Sequence, residues 1–215
     1  MSAAWPWLAV AMLGAYHGID PSMGWLFAVA LGLQERSRTR LLESLFPIAL
    51  GHLLSVGLVV AMVAWAAGFS AASHWLRPAG AAILILFGIF RFLRPRAHPR
   101  WVAMRVTMPE LALWSFLMAS AHGAGLMLFP ILIGMPAPAA TAHHHALALG
   151  LHQLSPAQGV AVVLIHTGAM LLVMGTVAIL VYEWVGLAIL RSAWVNLETI
   201  WAGALVAAGL LALTI

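Results

Sequence analysis

Along the chain, long apolar runs alternate with short segments that carry most of the charges. Six apolar runs can be read along the chain: Trp5–Leu33, Leu41–Ala67, Leu76–Leu93, Glu110–Met135, Pro156–Trp184 and Trp194–Ile215. A membrane-spanning helix needs about 20 consecutive apolar residues, and the runs have roughly this length. The pattern therefore predicts an all-α integral membrane protein with six transmembrane helices and no room for a separate soluble domain.

Composition narrows the chemistry that such a protein can perform. The chain is 64% hydrophobic and 7% charged, with a mean hydropathy of +1.02, which excludes both an ordinary soluble domain and a disordered chain. The absence of cysteine excludes thiolate metal sites and iron–sulfur clusters, and the absence of lysine excludes a Schiff base. No nucleotide-binding glycine motif is present, and the arginines lie between apolar runs or near their ends, so no nucleic-acid partner is expected.

The arginines predict the orientation of the chain in the lipid bilayer. With six spans, nine of the ten arginines fall on one side: Arg36, Arg38, Arg40, Arg91, Arg94, Arg96, Arg100, Arg105 and Arg191. Only Arg77 falls on the other side. Positively charged loops stay on the cytoplasmic side. We therefore expect a multi-pass protein of the inner (cytoplasmic) membrane, with Arg-rich loops in the cytoplasm and both termini outside.

Histidines divide the chain into two similar halves. His17 and His122 each precede a glycine in the first apolar run of a half, and His52 and His166 each lie in the second run. The first repeat covers residues 1–94, a basic cytoplasmic loop covers 95–109, and the second repeat covers 110–215. Because three spans is an odd number, the halves must have opposite orientations. The chain is thus predicted to be two inverted three-helix repeats, an arrangement typical of secondary transporters.

The same four histidines should lie near the bilayer midplane, about ten residues inside their runs. Ionisable groups there are costly and usually functional, and a neutral imidazole still needs partners for its ring nitrogens. The spacing predicts one shared polar site made by four spans. The alternative interpretation is that each histidine is a hydrogen-bonded packing residue.

The first span contains a second type of metal ligand. Asp20 is the only acidic residue far from a predicted span end, and Pro21 disfavours helix at that position. A broken helix would free backbone carbonyls and bring His17 and Asp20 within one turn, as a ligand pair or as a histidine with its carboxylate partner. The alternative is that Asp20 caps a helix starting at Pro21, which is compatible with either role.

The motif His17-x-x-Asp20-Pro21, together with the Gly51-His52 pair and six spans, resembles the nickel/cobalt transporter (NicO) group of the LysE/HupE-type exporter superfamily. The resemblance implies that His17 and Asp20 bind a transition metal and favours export. This chain has Ser22 and Met23 where the relatives have aspartate and histidine. Neutral imidazole and thioether ligands suit copper(I) better than hard cations, so Met23 is an accessory ligand candidate.

The outer loop 136–155 is the remaining candidate for metal binding. It contains His143, His144, His145 and His152, a composition typical of metal-binding tracts or of a solvated low-complexity loop.

These patterns favour a secondary transporter of a transition-metal cation of the nickel, cobalt, copper or zinc class. The predicted site consists of His17, Asp20, His52, His122 and His166. Proton coupling is compatible with it, because protons compete with metal for neutral imidazole. The alternatives are a haem-binding cytochrome b-type subunit and a proton-coupled exporter of a small organic solute. An enzyme is not expected, although an intramembrane metalloenzyme is not excluded, and a homo-oligomer is left open.

Overall fold

Helices account for all the regular secondary structure in the described part of the chain. The computed structural model describes residues 4–67, 73–93, 106–135, 155–184 and 197–214. The helices are α1 (Trp5–Ile19), α2 (Trp25–Gln34), α3 (Arg38–Ala67), α4 (Ser73–Leu93), α5 (Met108–His122), α6 (Phe129–Ile133), α7 (Pro156–Trp184) and α8 (Leu197–Thr214). Short 3-10 turns at Pro21–Met23 and Leu126–Leu128 precede α2 and α6. The all-α class is confirmed, and the helices fall on the six apolar runs.

The first apolar run is broken at the position that the sequence predicts. Helix α1 ends at Ile19, and Asp20 is extended, with φ −67° and ψ 119°. The side chain of Asp20 accepts a hydrogen bond from the backbone N–H of Ser22, which caps the turn that starts at Pro21. Gly24 has φ +125°, a conformation that favours glycine, and α2 begins at the next residue. Asp20 therefore acts as the cap that one interpretation expected.

A second break, which the apolar run Glu110–Met135 did not reveal, interrupts the fourth segment. Helix α5 ends at His122, and Gly123 takes the left-handed conformation at φ +71°. The chain continues through the 3-10 turn into α6, and the two helical parts are bent by 46°. Both His-Gly pairs therefore lie at or next to the end of a broken helix.

In the part of the chain that the structure describes, two helices are long and apolar enough to cross a membrane. They are Arg38–Trp65, within α3, and α7, with mean hydropathies of 2.1 and 2.2. Counting the bent pair of α5 and the segment Leu126–Ile133 as one span gives a third. Shorter apolar helices are Trp25–Gln34, Pro78–Leu93 and Ala202–Leu213.

The outer surface of these helices is more apolar than that of a typical water-soluble protein, and their interior is apolar as well, apart from a few buried polar side chains. Large apolar side chains are turned outward, such as Phe46 (73% exposed), Leu172 (75%) and Trp184 (83%). Polar side chains are turned inward, and His17, His52 and His166 are fully buried. Scattered exposed apolar groups are normal on soluble proteins, but so many large ones on helices that bury histidines fit a hydrocarbon surrounding.

Two pairs of neighbouring helices run parallel. Gly14 and Gly18 of α1 lie against His166 and Met170 of α7, so the residue numbers increase together. Ser115 and Ser120 of α5 bond to Ile48 and Ser55 of α3 in the same sense. Each pair joins the first helix of one predicted half to the second long helix of the other.

Two further pairs run antiparallel. Gly88 of α4 lies against Ala202 and Val206 of α8, whereas Gly209 of α8 lies against Ala81 and Leu84 of α4. Helices α3 and α7 also cross in opposite directions, since Arg38 at the start of α3 forms an ion pair of 3.7 Å with Glu183 at the end of α7.

The start of α3 carries a small group of ion pairs. Arg40 contacts Glu35 at 3.1 Å and Glu43 at 3.2 Å, and all three side chains are well exposed. Exposed ion pairs of this kind contribute about 0–1 kcal/mol each, so they mark a solvated edge more than they stabilise the fold.

Candidate functional site

Three of the predicted histidines form one cluster. The ring centres of His17 and His166 are 4.9 Å apart, those of His52 and His166 are 5.4 Å apart, and those of His17 and His52 are 5.5 Å apart. The rings come from α1, α3 and α7, and all three are fully buried. We call this group the imidazole cluster.

Glycines explain why helices carrying such large rings can approach closely. A Cβ on Gly14 would overlap the carbonyl oxygen of His166, so α1 and α7 touch backbone to backbone. Gly18 faces the backbone of Met170 and Met174 in the same way, one turn further along. His17 lies between these two glycines and is therefore held against the segment of α7 that carries His166.

His17 and His122 have the same local hydrogen bond. In each, Nδ1 lies 2.8 Å from the carbonyl oxygen four residues earlier, Leu13 for His17 and Met118 for His122. A carbonyl only accepts, so Nδ1 carries the proton and, in the neutral ring, Nε2 presents its lone pair. Metal-binding histidines are commonly fixed by such a bond on the second nitrogen.

The other two rings lack such support. Within the described residues, neither nitrogen of His52 makes a hydrogen bond, and neither does the hydroxyl of Thr167 beside His166. His166 interacts weakly with the backbone of Val10, without a hydrogen bond of good geometry at either nitrogen. Buried polar groups are normally hydrogen-bonded, so these atoms are exceptions to the rule.

Asp20 and His122 are joined through Ser22. The Ser22 hydroxyl donates to Oδ1 of Asp20 at 2.7 Å and lies 3.2 Å from Nε2 of His122. Asp20 is 3% exposed and His122 is 1% exposed. This chain, which we call the Asp–Ser–His chain, connects the break after α1 to the end of α5.

The five predicted site residues are thus all buried, but they divide into two groups. His17, His52 and His166 share the imidazole cluster, whereas Asp20 and His122 share the Asp–Ser–His chain. The accessory candidate Met23 is 1% exposed, next to Ser22 in sequence. His143, His144, His145 and His152 lie outside the described residues.

Ser22 is the functional candidate that sequence reasoning missed. In the sequence it stands out only as a departure from the motif that the first span resembles, although its hydroxyl is the link between Asp20 and His122. The available signal was its position two residues after an aspartate, where a side chain readily bonds back to the aspartate carboxylate. Its contact with a histidine 100 residues away had no sequence signal.

The spacing of the imidazole cluster suits a metal, but the present ring orientations do not form a coordination site. Two imidazoles on one tetrahedral ion, with metal–nitrogen bonds of about 2.0–2.1 Å, place their ring centres roughly 5 Å apart. The observed separations are 4.9–5.5 Å. Within the described ranges, however, no group of three or more His, Asp or Glu side chains is found that could hold a metal ion.

Comparison of the chain with protein-family models, with curated proteins and with solved structures finds no match. The site is therefore interpreted from its own chemistry.

Proposed function

We propose that the protein is a secondary membrane transporter of a transition-metal cation of the nickel, cobalt, copper or zinc class. The observation that carries the proposal is the imidazole cluster, with unbonded nitrogens on His52 and His166. Neutral imidazole is a preferred ligand of these metals, and three ligands leave room for exchange. Packing alone is a weaker explanation, because packing residues would bond their nitrogens to a neighbour.

The proposed architecture is six transmembrane spans in two inverted three-helix repeats, with both termini outside and the Arg-rich loops in the cytoplasm. The helix directions support it. In the proposed repeat, α1, α3 and α4 correspond to α5, α7 and α8. The parallel pair α1 and α7 then corresponds to the pair α5 and α3, which is also parallel. The antiparallel pair of α4 and α8 corresponds to itself. The ion pair of Arg38 with Glu183 supports a common side for the loops after the first and fifth spans.

Metal binding in this proposal requires the rings to turn. The ring centres already have the right separation, so rotation about the side-chain torsions of His52 and His166 would aim their nitrogens at one point. No hydrogen bond of good geometry opposes that rotation at either ring among the described residues. The His17 ring does not have to rotate in this proposal, because the bond from its Nδ1 to the Leu13 carbonyl already directs Nε2 away from the backbone.

Alternating access would use the two broken helices. Transporters with inverted repeats bind substrate where a helix is interrupted near the midplane, and one repeat then rocks against the other. The breaks at Asp20 and Gly123 occupy corresponding places in the two halves. Export and membership of the NicO-like group belong to the proposal because the resemblance implies them, and the oligomeric state is left open.

The test is metal binding and transport by a variant of the cluster. His166→Ala should lower the affinity for nickel, cobalt, copper(I) or zinc by at least about 100-fold, because it removes one of three ligands. It should also abolish uptake into proteoliposomes. His74→Ala is the matched control, since His74 is on α4, which contributes no ring to the cluster, and it should bind metal like the wild type. Elemental analysis of purified, metal-loaded protein measures metal binding by both variants, and the proteoliposomes measure uptake.

Other results would identify a different function. Wild-type protein that binds none of these metals after loading would overturn the proposal and favour a proton-coupled exporter of an organic solute. Iron with a haem absorption spectrum would favour the cytochrome, although the backbone contact of α1 with α7 at Gly14 leaves little width beside His166 for a porphyrin.

A further inference from the structure

The imidazole cluster offers neutral donors to a cation, because imidazole binds metal in its uncharged form. The carboxylate of Asp20, three residues after His17, accepts from the backbone N–H and the hydroxyl of Ser22 and belongs to the Asp–Ser–His chain. Neutral donors leave the whole charge of a bound ion in a weakly polar interior, where the cost of burial grows with the square of that charge. A singly charged ion therefore costs about a quarter as much to bury there as a doubly charged ion.

Copper(I) is the singly charged ion of the proposed class, and it also needs the fewest donors. Two or three nitrogen or sulfur donors satisfy it, whereas zinc takes four ligands, with at least three from the protein as a rule. In the part of the chain that the structure describes, no group of three or more His, Asp or Glu side chains is found that could hold a metal ion. A ring nitrogen paired with a thioether sulfur would hold copper(I) without such a group.

Three buried methionines lie between the imidazole cluster and the ion pair of Arg38 with Glu183. Because α7 runs antiparallel to α3 and parallel to α1, the residues after His166 and those after His17 both lead towards this ion pair. Long side chains on a helix lean back over the preceding turn, which places the Met170 thioether next to the turn that carries His166. The three methionines, each at most 1% exposed, are Met23, Met170 and Met174.

The corresponding positions of the other half hold valine. In α3, Val56 and Val60 follow His52 by four and eight residues, and both are buried. The two α7 methionines follow His166 by the same steps, but the antiparallel direction of α7 places them on the opposite side of the cluster. Methionine is a flexible filler of apolar cores, but the valines show that these positions can be filled without a thioether. The difference between the halves therefore favours a ligand role for the α7 pair.

We infer that the transported cation is copper(I), and that Met23, Met170 and Met174 pass it between the imidazole cluster and the edge that carries Arg38. This inference rests on the proposed transport function and names its substrate. Thioether sulfur is a soft, uncharged donor, and it suits copper(I) better than the divalent ions of the class. The predicted orientation puts the three methionines on the cytoplasmic side of the cluster, where a reducing environment keeps copper singly charged.

The first test identifies the atoms that hold the ion. In purified protein loaded with copper(I) in the absence of oxygen, X-ray absorption at the copper edge should show both nitrogen and sulfur neighbours. The triple variant Met23→Leu, Met170→Leu, Met174→Leu should lose the sulfur neighbours, and Met170→Leu alone should bind copper(I) at least about tenfold more weakly. Leucine has nearly the volume of methionine, so the fold should be kept. Met127→Leu is the matched control, because Met127 is buried in a different apolar cluster, and it should bind copper(I) like the wild type.

The second test compares the ions. Proteoliposomes should take up copper(I), or its stable analogue silver(I), at least about tenfold faster than nickel, cobalt or zinc at equal concentration. Zinc relies on the rings, so Met170→Leu should bind it within about twofold of the wild type. A divalent ion carried as fast as copper(I), or a copper site without sulfur, would overturn the inference and leave the cation site of the proposed function standing. If the wild type binds none of the four ions, the transport proposal itself is wrong.

Discussion

Replacing Gly51 by alanine is expected to destabilise the protein severely, because α3 and α5 touch backbone to backbone at that residue. An added Cβ would overlap the carbonyl oxygen of Ala112 and would lie 2.9 Å from the backbone nitrogen of Phe116. Backbone atoms in the middle of a helix cannot move aside as a flexible side chain does. We expect a loss of roughly 1–3 kcal/mol or more, as for overpacking of a close contact. Thermal unfolding in detergent, followed by tryptophan fluorescence, measures it.

Gly57→Ala is the matched control on the same helix. Apart from its own stretch of helix backbone, no atom of the described residues lies within 4 Å of the position that its Cβ would take. Alanine is up to about 1 kcal/mol better than glycine in a helix interior, so this variant should unfold at the same or a higher temperature. Equal melting of Gly51→Ala and Gly57→Ala would contradict the close approach of α3 and α5. If the two halves are repeats, Gly14→Ala should behave like Gly51→Ala, since it blocks the corresponding pair α1 and α7.

The sequence predicted the parts of the structure that depend on local physical rules. Long apolar runs gave the positions of the helices, and Pro21 gave the break after α1, because proline restricts the residue before it. The four histidines were expected to be buried, since polar side chains in apolar runs turn away from lipid. His17, His52 and His166 do meet in one cluster, which agrees with the expectation for three of the five site residues.

What the sequence left undetermined depends on contacts between distant segments. The break at Gly123 had only a weak signal, because glycine is common inside membrane helices without interrupting them. The separation of Asp20 and His122 from the cluster follows from the Ser22 hydroxyl, whose partner is in the other half of the chain. Ring orientation is also a tertiary property, and residue spacing carries no information about it.

The two groups of polar residues differ in the way their buried atoms are satisfied. The Asp–Ser–His chain is internally bonded, so its geometry is fixed by its own members. The imidazole cluster has unbonded nitrogens on α3 and α7 and a fixed tautomer only on α1. A site that must bind and release a cation benefits from the second arrangement, because bonded nitrogens would compete with the cation. We therefore expect substitutions in the imidazole cluster, and not in the Asp–Ser–His chain, to raise the stability of the fold while lowering metal binding.

His52→Leu is therefore expected to raise the stability of the fold while abolishing metal binding. Both ring nitrogens of His52 are buried without a hydrogen bond among the described residues, and such groups cost about 1–3 kcal/mol. Leucine has a similar volume and no polar atom, so the melting temperature in detergent should rise by several degrees. Zinc binding by the same sample should fall by at least about 100-fold, as for any lost ligand of the cluster.

Ser115→Ala is the control that tests whether removing any buried polar group raises the melting temperature. Ser115 is also buried in the same region, but its hydroxyl donates to the Ile48 carbonyl at 2.7 Å. Its loss should leave stability unchanged or lower it by about 1 kcal/mol, and should leave zinc binding intact. If His52→Leu instead melts earlier than the wild type and still binds zinc, His52 is a packing residue whose nitrogens find partners in the bilayer-embedded protein. A rise in melting temperature with loss of zinc would mean that the fold carries His52 at a cost in stability, because the cation needs it.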